Sequence, residues 1–197
     1  MTSWLLVIIL AYFFFSLSSL GDKLILKGCP KPNAYTFFTG VTSVAVILIL
    51  PFINLQAPSS KAFFWIIVEA ITFLLGLYVM YSALEKFDVS RVATAMGAAQ
   101  PILIFLFSWI IWGPQKMGLL NAAAFILLIL GTVIISINKN FKATRDYFKI
   151  TLFASLLFSL DYVFTKIVFL FLPFWSGLFW MKIFAFCFAM FLSLIHI

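Results

Sequence analysis

Seven apolar stretches, each about twenty residues long, decide what this chain can become. They fall at about 4–21, 35–53, 62–82, 92–112, 118–137, 149–172 and 175–197. The hydrocarbon layer of a bilayer is ~30 Å thick, and a helix needs ~20 predominantly apolar residues to cross it. A loop or open strand at that depth would leave backbone donors and acceptors unsatisfied, so each stretch reads as a transmembrane α-helix. Composition agrees. Of 197 residues, 65% are hydrophobic and 10% charged, where soluble domains carry ~25% charged residues. The expected fold class is an all-α membrane protein, a polytopic helical bundle. The first stretch is preceded by Met1-Thr2-Ser3 without a basic residue and followed by equally apolar spans, so it reads as a retained helix and not as a signal peptide.

The net charge of +7 raises the question of nucleic acid, but the basic residues are scattered at helix ends and form no continuous patch. Such residues belong at bilayer interfaces, and no nucleic-acid partner is expected. Cys29 in a loop and Cys187 in an apolar run differ too much in setting to suggest a disulfide. His196 stands alone, and no His/Cys/Asp spacing resembles a metal site. With no phosphate loop, catalytic triad or metalloprotease helix in the sequence, neither a cofactor nor an enzymatic reaction is expected. The 26 phenylalanines read as lipid-facing and packing bulk.

The connections show how the helices are grouped. Between Leu75 and Gly113 one span ends, a charged turn follows (Glu85 to Arg91), and a second span carries Gln100-Pro101 in its interior. Ser90 stands where a helix N-cap is expected, and Pro101 is expected to break the backbone ladder near mid-membrane. Gly113 to Lys116 and the polar stretch Asn138 to Lys149 are further boundaries. Sliding the chain on itself by 143 residues aligns Ala11 with Ala154, Phe15-Ser16-Leu17 with Phe158-Ser159-Leu160, Lys23 with Lys166 and Pro30 with Pro173. The last two spans therefore read as copies of the first two. A five-helix unit has an odd number of crossings, so its copy enters the membrane inverted. The expected domains are 1–143, a first five-helix repeat, and 144–197, the first two helices of a second repeat. Seven of an expected ten helices would then be present, leaving the second copy truncated unless a homodimer supplies the rest.

From Tyr81 to Ile135 the chain has a Ser-Ala-Leu helix end, a charged turn into Ser90-Arg91-Val92-Ala93, a proline in the fourth helix and a closing Gly131-Thr132-Val133-Ile134-Ile135. With the lysine ending the first span, Lys23, and its repeat at Lys166, this resembles the EamA-like domain of the drug/metabolite transporter superfamily. The basic residue inside the seventh span, Lys182, also fits, although its mate in the second span is Thr39. The resemblance implies ten helices in two inverted repeats and movement of a small organic solute across the cytoplasmic (inner) membrane. Where members often end the fourth helix in Leu-Gly-Glu, this chain reads Trp112-Gly113-Pro114-Gln115, so no role is carried over to that carboxylate.

Ionisable groups inside the hydrocarbon layer are costly and usually face a bundle interior or a wet cavity. Five residues are therefore substrate-site candidates: Glu69, Gln100, Asp161, Lys166 and Lys182. Pro101 is the candidate hinge. Glu69 reads as a proton or cation site, or as an interfacial residue whose head reaches water. Asp161 and Lys166 line one cavity in series, or Lys166 snorkels to the interface. Gln100 presents its amide to a solute or to a neighbouring helix. Tyr78, Tyr81 and Trp109 read as packing or interfacial belt residues. The expected mechanism is alternating access around a cavity lined by the first, third, fourth and sixth helices.

Orientation stays open: Lys and Arg concentrate in the first-second, third-fourth and fifth-sixth connections, which favours an external N-terminus, whereas the resemblance implies a cytoplasmic one. Two other readings stand beside the carrier. A truncated non-transporting or lipid-handling membrane protein fits the missing helices. A seven-helix retinal or receptor protein is mimicked by Lys182 and Glu69, but Leu178 occupies the position one turn before the lysine where an acid is wanted.

Overall fold

The computed structural model describes residues 3–28, 31–113, 118–136 and 141–196. Seven α-helices occupy them, at the positions the apolar stretches predict: α1 (Ser3–Gly28), α2 (Pro32–Thr42), α3 (Ser60–Lys86), α4 (Val89–Trp112), α5 (Leu119–Ser136), α6 (Phe141–Phe171) and α7 (Phe174–His196). A 3₁₀ helix, Ser43–Phe52, continues α2. Among the described residues six helices are long and apolar enough to cross a membrane, the α2–3₁₀ continuation counting as one of them. In α5 a shorter apolar helix, Ala122–Gly131, is found. Cys29, Pro30, the Pro114–Lys116 turn and Asn138–Asn140 lie outside the described residues.

The second span is not the uniform α-helix that hydropathy suggests. Thr36 and Thr39 return their hydroxyls to the carbonyls of Pro32 and Tyr35, and the Thr39 carbonyl accepts from Thr42 Oγ1 at 2.8 Å and Ser43 Oγ at 3.5 Å. Side chains thus compete for the carbonyls an α-helix needs. Pro51, without an N–H, removes another rung. The ladder tightens to three residues per turn, over a length uncommon for this geometry.

The core is built on α3. It packs against α6, α7, α2 and α1, while α6 also packs against α4 and α7 against α2. Two apolar clusters result. One contains Leu74, Leu77, Tyr81, Leu84, Val92 and Tyr147. The other, towards the start of α3 and the end of α6, contains Ala62, Ile66, Val168, Leu172 and Met181. α1 contacts α3 and α4, and its apolar side chains from Leu5 to Leu24 are largely exposed, as a lipid-facing helix requires.

Helix ends are closed by specific groups. Ser59 caps α3, its Oγ accepting from the Ala62 N–H at 3.3 Å. At the other end the Lys23 ammonium donates to the carbonyls of Leu84, Glu85 and Phe87, satisfying groups that the last turn of α3 leaves without partners. Gly113 ends α4 at φ 83°, a conformation that costs a side chain but not glycine. The N-cap of α4 is Asp88 and not Ser90, because the helix begins at Val89. Ser90 lies inside the first turn, where its carbonyl accepts from Thr94 Oγ1. α4 also runs unbroken through Pro101, and Ser159 of α6 donates to the neighbouring Gln100 carbonyl at 3.3 Å.

Candidate functional site

Between the two apolar clusters lies a polar layer contributed by three helices. Glu69 is nine residues from the start of α3, Asp161 ten from the end of α6 and Lys182 eight from the start of α7. At 1.5 Å per residue each lies about 12–15 Å from the same end of the bundle, near the middle of a ~30 Å hydrocarbon layer. The sequence places three charges in apolar runs, and the fold brings them to one depth.

Glu69 is 4% exposed and Asp161 7%. Their carboxyl groups approach each other across the α3–α6 contact within hydrogen-bonding reach, with Lys182 close enough to interact electrostatically with both. Lys182 Nζ rests 3.9 Å from the centroid of the Phe73 ring. One oxygen on each acid, Glu69 Oε2 and Asp161 Oδ1, is buried without a hydrogen-bond partner. Buried polar atoms are nearly always paired in folded proteins, so two orphaned carboxyl oxygens at one spot point to a ligand or a proton acting there.

The site has aromatic boundaries. One turn nearer the 171–180 end, Trp65 of α3 and Phe164 of α6 lie 5.4 Å apart at 33°. On the other side stands Phe73, on the face of α3 that also carries Tyr81. Three serine or threonine hydroxyls of α6, on Thr151, Ser155 and Ser159, are buried and donate to carbonyls one turn back. The Ser159 hydroxyl, with one proton to give, lies within reach of both the Ser155 carbonyl at 2.6 Å and the Gln100 carbonyl at 3.3 Å.

The other candidates go elsewhere. Lys166 is exposed, and its ammonium lies over the Trp112 ring at 4.1 Å. Five residues along α6 turn it roughly 140° round the helix from the buried Asp161. Gln100 is half-buried where α4 meets α6. Trp109 and Tyr78 are exposed, in keeping with an interfacial or lipid-facing position. Tyr81 is instead buried, 3.1 Å from Thr39 Oγ1.

A second polar group escaped sequence reading. Tyr35 donates to Asp22 Oδ1 at 2.6 Å, and its ring lies 4.5 Å from that of Tyr81. With the Lys23 contacts, and with Tyr147 donating to the Arg91 carbonyl at 2.7 Å, these bonds tie α1, α2, α3, α4 and α6 together at the end where the basic residues gather. The usable signal was the four-residue spacing of Glu69, Phe73, Leu77 and Tyr81, which puts all four on one face of α3.

Residues 2–137 match the EamA-like transporter family. The chain belongs to that family. The family is one of membrane transporters, and six helices long and apolar enough to cross a membrane among the described residues agree with a multi-pass membrane protein. No curated protein and no solved structure matches it. Among the described residues no group of three or more His, Cys, Asp or Glu side chains is arranged to hold a metal ion.

Proposed function

We propose that the chain is a secondary carrier that moves a small organic solute across the cytoplasmic membrane by alternating access, with Glu69, Asp161 and Lys182 as the solute-contacting group. The observation that carries this reading is the meeting of three charges from three helices at one depth, with two carboxyl oxygens unpartnered. Charges at that depth are costly, and a bundle that only had to pack would replace them with apolar residues. Gln100, whose carbonyl accepts from Ser159 of α6, and the candidate hinge Pro101 lie on α4 beside α6. Lys166 belongs to the interface.

The inverted-repeat plan is part of the same proposal: residues 1–143 form one unit, and 144–197 open its copy. Two features support it. α1 runs towards the end of the bundle at which α6 begins, and α2 and α7 run antiparallel in direct contact, Gly40 against Ala185 and Ala189. Thr39, the mate of Lys182 under the 143-residue offset, also faces inward, bonded to Tyr81. In this reading the bonds among Asp22, Lys23, Tyr35, Thr39 and Tyr81 close one end, and opening that end requires breaking them.

The test is transport by the full chain in proteoliposomes, screened with labelled amines, amino acids, nucleosides and sugars. Glu69→Gln and Lys182→Met lower the rate about tenfold or more, the effect of ~1–3 kcal/mol for stranding a buried polar partner, while membrane yield stays unchanged. Wild-type rates in both variants would remove these residues from the solute path.

A further inference from the structure

The connection between the second span and α3 is a strap of extended chain. Residues 54–59 form neither helix nor strand. They leave the 3₁₀ helix, which packs on α7, and enter α3 at its Ser59 cap. On the way the backbone of Asn54 and Gln56 is fastened to α7 at three points. Ser176 Oγ accepts from the Gln56 N–H at 3.1 Å and donates to the Asn54 carbonyl at 3.3 Å. The Trp180 indole N–H donates to the Gln56 carbonyl at 2.8 Å. Ser176 and Trp180 stand one turn apart on one face of α7, and Ser176 is 1% exposed. A serine inside a helix usually returns its hydroxyl to a carbonyl one turn back, as Ser155 and Ser159 do. That of Ser176 reaches out of its helix to the strap instead.

Beneath the strap runs the seam that separates the polar layer from this end of the bundle. α6 and α7 are joined by Leu172 and Pro173 alone, and a Cβ at Gly177 would come within 2.9 Å of the Phe169 ring, so the two helices meet here as a tight hairpin. α3 faces that hairpin through Ala62 and Ile66, packed with Val168, Leu172 and Met181, and the Phe63 ring stands edge-on to that of Phe184 at 5.2 Å. This apolar plug lies between the strap and Glu69, which follows Ile66 by three residues. The strap is continuous with α3 and hydrogen-bonded to α7, so it spans the seam. Building on the reading of Glu69, Asp161 and Lys182 as the solute site, we propose that residues 54–56 are a latch over the seam between α3 and the α6–α7 hairpin, and that their release from Ser176 and Trp180 admits water and solute to the polar layer from the end at which α3 begins. A buried hydroxyl that loses its partners is costly until water replaces them, so lifting the latch and wetting the seam occur together.

The test measures how fast a water-soluble thiol reagent reaches the plug in the detergent-purified full chain. Cys29→Ser and Cys187→Ala remove the native thiols, and Ile66→Cys places one in the plug. The probe is 2-sulfonatoethyl methanethiosulfonate, whose charge keeps it out of hydrocarbon. Leu77→Cys, buried on the far side of the polar layer along α3, serves as the control in a second chain. Labelling of a buried thiol follows the fraction of molecules open around it. Ser176→Ala removes two latch bonds and speeds labelling at residue 66 about tenfold or more. Trp180→Phe removes one bond, keeps a ring in place, and speeds it about threefold or more. Labelling at residue 77 stays within about twofold in both, because the opening is local. A loosened fold would expose both thiols, so the control separates release of the latch from damage. An unchanged rate at residue 66, or equal acceleration at residues 66 and 77, overturns the latch. Faster labelling at residue 66 alone, in a chain that moves none of the labelled amines, amino acids, nucleosides or sugars in proteoliposomes, overturns the carrier reading and leaves the latch standing. Carriage of one of those solutes by the chain, with residue 66 indifferent to both substitutions, overturns the latch alone.

Discussion

Gly40 is where α2 comes closest to α7, and replacing it tests the packing that holds Lys182 in place. A Cβ at residue 40 would lie 2.4 Å from the Cβ of Ala189 and 3.1 Å from Leu74 Cδ2. Carbon atoms rest at ~3.5–4.0 Å, so Gly40→Ala forces the two helices apart by about 1 Å. The obstacle is another Cβ, which has no rotamer by which to yield. Overpacking of this kind costs ~1–3 kcal/mol, offset by up to ~1 kcal/mol because alanine is the better helix former. A net loss of about 1–2 kcal/mol is expected. Ala189→Gly removes the opposing methyl and by itself costs about 1 kcal/mol of helix propensity. In the double variant the methyl has changed sides, so stability returns to within ~0.5 kcal/mol of wild type and the coupling is about 2 kcal/mol. Reversible unfolding in mixed micelles, followed by tryptophan fluorescence, measures all four corners of the cycle. If the double variant loses the sum of the two single losses, the close α2–α7 crossing is not what small residues at these positions provide.

Two further outcomes are expected at the basic end. Lys23→Met withdraws the ammonium from the carbonyls of Leu84, Glu85 and Phe87, costing ~1.5–3 kcal/mol as charge-assisted bonds do and exposing the last turn of α3. Amide hydrogen exchange should rise there and not at Ala62–Ile66, and uniform exchange along α3 would contradict the capping role. Lys23, Lys86, Arg91, Arg145 and Lys149 share this end of the bundle, with Lys61 and Lys166 towards the other, so the positive-inside rule predicts that this end faces the cytoplasm and that the N-terminus lies outside. Reporter fusions at the N-terminus and in the 53–59 connection should both report an external location, and cytoplasmic signals from both would reverse the assignment.

Hydropathy alone located the helices, because hydrocarbon leaves a backbone no choice but internal hydrogen bonding. It also singled out Glu69, Asp161 and Lys182, since a charge inside an apolar run needs a partner wherever the chain takes it. Spacing along one helix could not name the partners. Asp161 and Lys166 are neighbours in sequence yet turn to different faces of α6, and the acid meets Glu69 of α3 instead. Nor could spacing show that Tyr81, which reads as a packing or belt residue, closes on Thr39, or that the hydroxyls of α2 tighten it into a 3₁₀ helix. Solubility in lipid is a property of each segment and is written residue by residue. Which charge meets which depends on contacts between segments far apart in the chain, and these exist only once α3, α6 and α7 have packed together.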